Sequence, residues 1–221
     1  MNIVITGANR GIGLEFVRQY LAVGDQVWAC HRDDMGGLAQ IDSGSLHTVC
    51  WDVTQELSSE IAAQLPDSID ILINNAGVYG SQQQLDQISA DMMHKVFDVN
   101  CVAPVRVVQA LSQRVAVAKG RIANLSSKMG SSADNGSGGC YGYRAAKAAL
   151  VICSKSMAID LQPQGIQVVT LHPGWVMTDM TSNNGLIDTQ TSVSGMRKVI
   201  DDIDDYELGA FVDFNGQLIP F

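Results

Sequence analysis

Tyr143 and Lys147 stand four residues apart in Tyr141-Gly-Tyr-Arg-Ala-Ala-Lys147. On a helix that spacing puts a phenol and an amine on one face. A phenol can hand a proton to a developing oxygen anion. Its ordinary pKa, about 10, is high for exchange at neutral pH. A neighbouring ammonium favours phenolate and lowers that value. The pattern arises by chance in many helices, so its weight depends on the elements around it. Tyr141 has no lysine four residues on and reads as pocket wall or packing. Upstream, Ser126 and Ser127 close an apolar run and offer hydroxyl donors.

A second cluster lies at the start of the chain. The apolar run Asn2–Thr6 leads into Thr6-Gly7-Ala8-Asn9-Arg10-Gly11-Ile12-Gly13, and helical spacing follows. Glycine permits left-handed turns and close approach of backbone to a ligand. The helix beyond offers unpaired N–H groups and a positive dipole end to a phosphate. After a first strand, this is the context of a dinucleotide-binding turn. The second strand closes with His31-Arg32. His31 takes the place where NAD-binding folds usually carry an acid for the ribose 2′-hydroxyl. Arg32, with Arg10 in the glycine turn, can grip a 2′-phosphate. Asp33 and Asp34 are placed past the ribose. The expectation is NADP(H) rather than NAD(H), against a plain surface role for Arg32.

The elements that must position these groups alternate. Strands are expected at Asn2–Thr6, Gln26–Cys30, Leu46–Trp51, Ile69–Ile73, Gly120–Leu125, Ile166–His172 and from Phe211. Helical spacing covers Leu14–Val23, about Gln55–Gln64, Ala90 to about Lys119, Tyr143–Leu161 and Ser192–Asp201. Nearly continuous apolar strands joined by helices imply an α/β fold with right-handed crossovers. The expectation is a single domain over residues 1–221, one Rossmann-type doubly wound parallel sheet of about seven strands, with helices on both faces.

The glycine spacing Gly-x-x-x-Gly-x-Gly, with Asp52-Val53, Asn74-Asn75-Ala76-Gly77, Asn100, Ser126-Ser127, Tyr143-x-x-x-Lys147 and Pro173-Gly174-Trp175-Val176-x-Thr178, resembles the short-chain dehydrogenase/reductase family over almost the whole chain. Within it, the stretch before Tyr143 is most similar to C-factor-like and sniffer-type carbonyl reductases. The resemblance implies catalytic roles for Asn100, Ser127, Tyr143 and Lys147. It implies cofactor contacts from Gly7, Asn9, Arg10, Gly11, Ile12, Gly13 and Arg32. Asp52 and Val53 would meet adenine, and Asn74, Ala76 and Gly77 the riboses. Tyr143, Lys147, Pro173, Gly174, Val176 and Thr178 would lie around the nicotinamide. Asp52 also reads as a turn aspartate, and Asn100 as a tolerated polar residue. Pro104 lacks the donor that would reach the Asn100 carbonyl, so that carbonyl can hold a water leading to Lys147. Met129, Tyr141, Trp175 and a polar loop from Asp179 to about Thr191 would wall the substrate, the loop as a lid. The helices holding Asn100 and Tyr143 would pair subunits, as a homodimer or homotetramer.

Composition bounds the rest. With 14 Lys and Arg against 23 Asp and Glu, the net charge is −9, which argues against nucleic-acid or anionic-membrane partners. Five cysteines without a CxxC suggest free thiols in a reducing cytosol, and four scattered histidines suggest no metal site. The chain begins directly in a strand, with no leader pattern and no span of membrane length, so a cytoplasmic location is expected. Two function classes follow. One is NADPH-dependent reduction of a small aldehyde or ketone. The other is a dinucleotide-bound signalling or regulatory protein with weak or no turnover.

Overall fold

The computed structural model describes residues 1–81 and 84–221. The strands β1 (Asn2–Thr6), β2 (Gln26–His31), β3 (Leu46–Cys50), β4 (Ile71–Asn74), β5 (Arg121–Leu125), β6 (Gln167–His172) and β7 (Phe211–Asp213) form one sheet. Their order is β3-β2-β1-β4-β5-β6-β7, and every pairing is parallel. Strand order reverses between β1 and β4, and a crevice opens beyond their carboxyl ends.

Alternation along the strands feeds two cores. Ile3, Ile5, Ile71 and Ile73 pack with Phe16, Val17, Val193 and Met196 on one face. Val4, Leu72, Ile122 and Val168 pack with Val107 and Leu111 on the other. Central strands buried on both faces need the β-branched, nearly unbroken apolar runs seen here. The first core is covered by α1 (Gly11–Ala22), together with α6 (Thr189–Asp201). The second lies under α4 (Ala103–Ala118) and α5 (Tyr141–Leu161). Two shorter helices, α2 (Ser59–Ala62) and α3 (Ala90–Phe97), complete the set used below. Among the described residues, no helix is long and apolar enough to cross a membrane.

Several boundaries differ from the sequence reading. The helix expected from Ala90 to about Lys119 is two helices joined by a π turn at Asp98–Val102. Pro104, in the first turn of α4, cannot donate. The ladder widens there, and the Ala103 N–H bonds the Asp98 carbonyl. The stretch near Gln55–Gln64 holds only the single turn α2, capped by the Ser58 hydroxyl. β4 runs two residues later than expected at its start, and α5 begins at Tyr141 rather than Tyr143.

Candidate active site

At the crevice between β1 and β4 lies a cleft of about 1040 Å³. The glycine turn forms one wall and is clamped to the loop after β4. Asn75 donates from Nδ2 to the carbonyls of Thr6 and Gly7, each at 2.9 Å. The Thr6 hydroxyl accepts from the Asn75 and Ala76 N–H groups, each at 3.1 Å. A Cβ on Gly13 would stand 2.3 Å from the Gly7 carbonyl oxygen, so only glycine fits. The first turn of α1 has no acidic residue and no side-chain cap. Its N–H groups and dipole end are therefore available to an anion.

Most of the expected cofactor residues come together here. Gly7, Asn9, Arg10, Gly11, Ile12, Gly13, Arg32, Asp52, Val53, Ala76 and Gly77 line the cleft, with Tyr143, Lys147, Pro173 and Thr178. Asn74 does not. It is buried in the sheet, donating to Asn124 Oδ1 at 2.8 Å. Neighbouring strand residues face opposite ways, so Asn75 rather than Asn74 reaches the glycine turn. Gly174 and Val176 also sit behind the lining. Gly174 turns the chain at φ +85, and buried Val176 bridges to Ile187.

At the far end from Tyr143, Arg32 is exposed and its Nε lies 2.7 Å from the Asp33 carboxylate. Asp33 and Asp34 line the cleft beside Arg32. The Asn9 side chain bonds the Asp34 carbonyl at 3.1 Å and holds this loop to the glycine turn. Arg10 lies 3.9 Å from Asp179, both largely exposed. Exposed pairs of this kind contribute roughly 0–1 kcal/mol and exchange partners readily. Asp52 accepts from the Thr54 N–H and hydroxyl through one carboxylate oxygen, so it is a turn aspartate. Its second oxygen makes no such turn bond.

The other end gathers Ser127, Tyr143, Lys147 and Asn100. The Ser127 hydroxyl accepts the Met129 N–H at 3.2 Å and, facing the Tyr143 phenol, draws that group's pKa downward. Ser126 donates its hydroxyl to the Lys147 carbonyl at 2.8 Å, although its residue borders the cleft. The two serines therefore have separate tasks. Lys147 Nζ donates to the Leu125 carbonyl at 2.7 Å and lies 5.8 Å from the Tyr143 ring centroid. A Cβ on Gly77 would stand 3.1 Å from Asn100 Oδ1 and 3.7 Å from Lys147 Nζ. Asn100 is fully buried in the π turn, and its amide exchanges two hydrogen bonds with the Val78 backbone.

The electrostatics here correct one expectation. Burial pushes the Tyr143 phenol up to about 12, partly offset by the facing Ser127 hydroxyl. Burial outweighs the neighbouring Lys147, whose Nζ donates to the Leu125 carbonyl, so the net direction is upward. Burial also brings Lys147 down to about 8. At neutral pH the pair is a neutral phenol beside a mostly charged amine.

The expected substrate wall is only partly gathered. Met129, Tyr141 and Trp175 lie outside the cleft lining, and Tyr141 and Trp175 are exposed. The loop after Thr178 is tied down by Met177 N–H to the Ile187 carbonyl at 2.8 Å and by a Thr178–Thr181 capping box. Met180 enters the cleft with Asp179 from the expected loop, whereas Asp98 and Tyr79 line it without having been singled out in the sequence. No spacing signal marks them, since loops and the π turn deliver them.

Comparison with known proteins agrees with this geometry. The family model described as short chain dehydrogenase matches residues 1–186. The C-signal protein of Myxococcus xanthus is 41% identical over 154 residues, covering 69% of this chain and 93% of that protein. The NADPH-bound carbonyl reductase from chicken fatty liver superposes with a TM-score of 0.91 at 32% identity, covering 100% of this chain and 98% of that one. The carbonyl reductase Sniffer of D. melanogaster gives 0.91 at 28% identity, covering 100% and 99%. With the glycine turn, the parallel sheet and the Tyr143–Lys147 helix in their places, the chain belongs to the short-chain dehydrogenase family of NAD(P)-dependent oxidoreductases.

Proposed function

We propose that the protein reduces a small aldehyde or ketone with NADPH. The observation that carries this reading is the neutral Tyr143 phenol, faced by Ser127 and one helical turn from Lys147, at the end of the cleft. The cleft fits a dinucleotide. Gly7 and Gly13 leave no room for a side chain, and the uncapped start of α1 faces the space a pyrophosphate would take. Arg10 and Arg32 would hold a 2′-phosphate, and the second Asp52 oxygen the adenine amino group. Ala76 and Gly77 would pack on the riboses, and Pro173 and Thr178 would hold the carboxamide. When bound, the reduced nicotinamide supplies hydride to a carbonyl carbon. Ser127 polarises the carbonyl oxygen, and Tyr143 gives the developing alkoxide its proton. Lys147 returns a proton to Tyr143, through water held by the Asn100 carbonyl. The similarity to NADPH-bound carbonyl reductase supports the choice of cofactor and substrate class. Five free cysteines support a reducing, cytoplasmic compartment, and exposed Val105, Ile152 and Ile159 on α4 and α5 support pairing of subunits there.

The likeness to C-signal supports a second reading, a dinucleotide-bound signalling protein with weak or no turnover. Loss of NADPH absorbance across a panel of aldehydes and ketones tests the first reading. Tight NADPH binding with no consumption over the whole panel favours the second.

Cofactor choice is open to a separate measurement. Arg32→Asp is expected to weaken NADPH binding at least about tenfold more than NADH binding, because a charge-assisted fork becomes a repulsion. Titration calorimetry showing equal loss for both cofactors contradicts the assignment. The serines separate in the same manner. Ser127→Ala is expected to lower kcat at least about tenfold with NADPH affinity kept, as for loss of one polarising donor. Ser126→Ala loses a bond to backbone worth about 0.5–1.5 kcal/mol of stability and leaves kcat within about threefold. The reverse ranking in steady-state kinetics would show that the hydroxyls have exchanged roles.

A further inference from the structure

The loop after β4 carries a second tyrosine at the cleft. The Tyr79 ring centroid lies 4.8 Å from that of Tyr143, with the planes tilted by 50°. Its hydroxyl is 3.0 Å from Cys140 Sγ, in hydrogen-bond contact. Cys140 is the residue from which α5 starts, and it is left-handed at φ 51, after Gly138 and Gly139, each at φ 64. That conformation is unfavourable for a residue with a Cβ, so the start of α5 needs a hold from outside the helix. Tyr79 supplies one, and Tyr79 is itself held. Its neighbour Val78 gives its N–H to Asn100 Oδ1 at 2.8 Å and takes the Asn100 amide N–H at 2.7 Å. Contacts therefore run from the π turn through Val78 and Tyr79 to the Tyr143 phenol.

We propose that Tyr79 is a positioning residue for Tyr143, its ring setting the orientation of the phenol and keeping water from it, its hydroxyl fixing the start of α5 through Cys140. The proposal rests on Tyr143 being the proton donor and adds the residue that aims it. Among the described residues, Tyr143 is faced by Ser127 just after β5, Tyr79 from the loop after β4, Cys140 from the start of α5, and Lys147 one turn along α5. Arg144 turns its guanidinium to the Met129 carbonyl and the Ser137 hydroxyl instead. Burial is the main reason the Tyr143 pKa is high, and Tyr79 adds to it. Removing the Tyr79 ring admits water and lowers that pKa. Reduction needs the protonated phenol, so the alkaline limb of the rate then moves to lower pH.

The test compares Tyr79→Leu, Tyr79→Ala and Tyr79→Phe with wild type and with Tyr143→Phe. It measures kcat and its pH profile, NADPH affinity, thermal unfolding, and tyrosine ionisation by absorbance in the cofactor-free protein. Tyr79→Leu and Tyr79→Ala are expected to lose at least about tenfold in kcat, since small misplacements of a catalytic group are costly. Their alkaline limb, and the ionisation that vanishes in Tyr143→Phe, should fall by roughly half a pH unit or more, as burial is relieved. NADPH affinity should stay within about twofold, because the lost contacts are to the proton donor rather than the cofactor. Tyr79→Phe keeps the ring and loses only the hydroxyl's smaller contribution, so it should shift the pH profile less than Tyr79→Leu does and keep most of kcat. If Tyr79→Ala fails to fold, Tyr79→Leu decides. Wild-type kcat and pH profile in the leucine variant, with Tyr143→Phe inactive, overturn the positioning role alone. A loss of kcat with an unmoved pH profile and a parallel loss of melting temperature also overturns it. Full turnover in Tyr143→Phe overturns the proton-donor reading, and this proposal with it.

Discussion

Tyr143→Phe is expected to lower turnover by about 10²–10⁴-fold, the contribution of a positioned acid or base. The substitution deletes one hydroxyl and keeps the ring, so the contact with Tyr79 and the course of α5 persist. NADPH affinity should hold within about threefold, because the phenol acts on the carbonyl oxygen rather than on the nucleotide. Tyr143 sits up to about 12 in the free protein, so it is protonated across the neutral range. That is the state a reductase needs. The reductive rate is lost as pH rises through this pKa, and the oxidative rate grows over the same interval. Steady-state kinetics in both directions check the sign. Turnover within threefold of wild type would remove Tyr143 from the chemistry.

Lys147→Met is expected to cost about 10²-fold or more in turnover, since the proton returned to Tyr143 loses its source. A specific pH signature should accompany that loss. Burial brings the Lys147 amine down to about 8, so the wild-type reductive rate should show a first, partial decline as pH rises through that value, well below the limb that belongs to Tyr143. The methionine variant should be uniformly slow, without that limb. Stability gives a second readout. A base with a depressed folded pKa binds fewer protons folded than unfolded over the interval between its two values. Stability therefore rises with pH from about 8 to the ordinary lysine value of 10.5. The wild type should gain on the order of 3 kcal/mol over Lys147→Met across that window, at 1.36 kcal/mol per pH unit. Chemical unfolding of both proteins at the two ends of the window measures the difference. A constant difference would mean that the amine titrates normally.

What could be read from sequence was what depends on short spacings. The glycine turn, Tyr143 with Lys147, and the cleft position of Gly77 need only a strand, a turn or a helix face to be placed correctly. Asn74 and Asn75 show the limit of that. One residue of frame at the end of β4 decides which side chain meets the glycine turn and which is locked onto Asn124. Apolar spacing does not fix a strand end that closely. The π turn at Asp98–Val102 was hidden inside continuous helical spacing, and Pro104 alone hinted that the ladder must change. Asp33 and Arg32 form an ion pair because the chain bends after β2, which composition does not reveal. The raised Tyr143 pKa has a related reason, since burial is a tertiary property. Spacing gave its neighbour Lys147, but only tertiary structure gave the Leu125 carbonyl to which that amine donates. Tyr79 was invisible on any helix or strand pattern, because a loop pinned by Asn100 carries it into place.

Hydride transfer to a carbonyl is the claim on which the rest depends. It is tested most directly with NADPH deuterated at the transferred position, incubated with the protein and a panel of aldehydes and ketones. Mass spectrometry of the products then follows the label. The expected result is an alcohol bearing deuterium on the former carbonyl carbon, formed by wild type and reduced at least about a hundredfold in Tyr143→Phe. Stoichiometric NADPH binding with no labelled alcohol from any carbonyl compound would contradict the account.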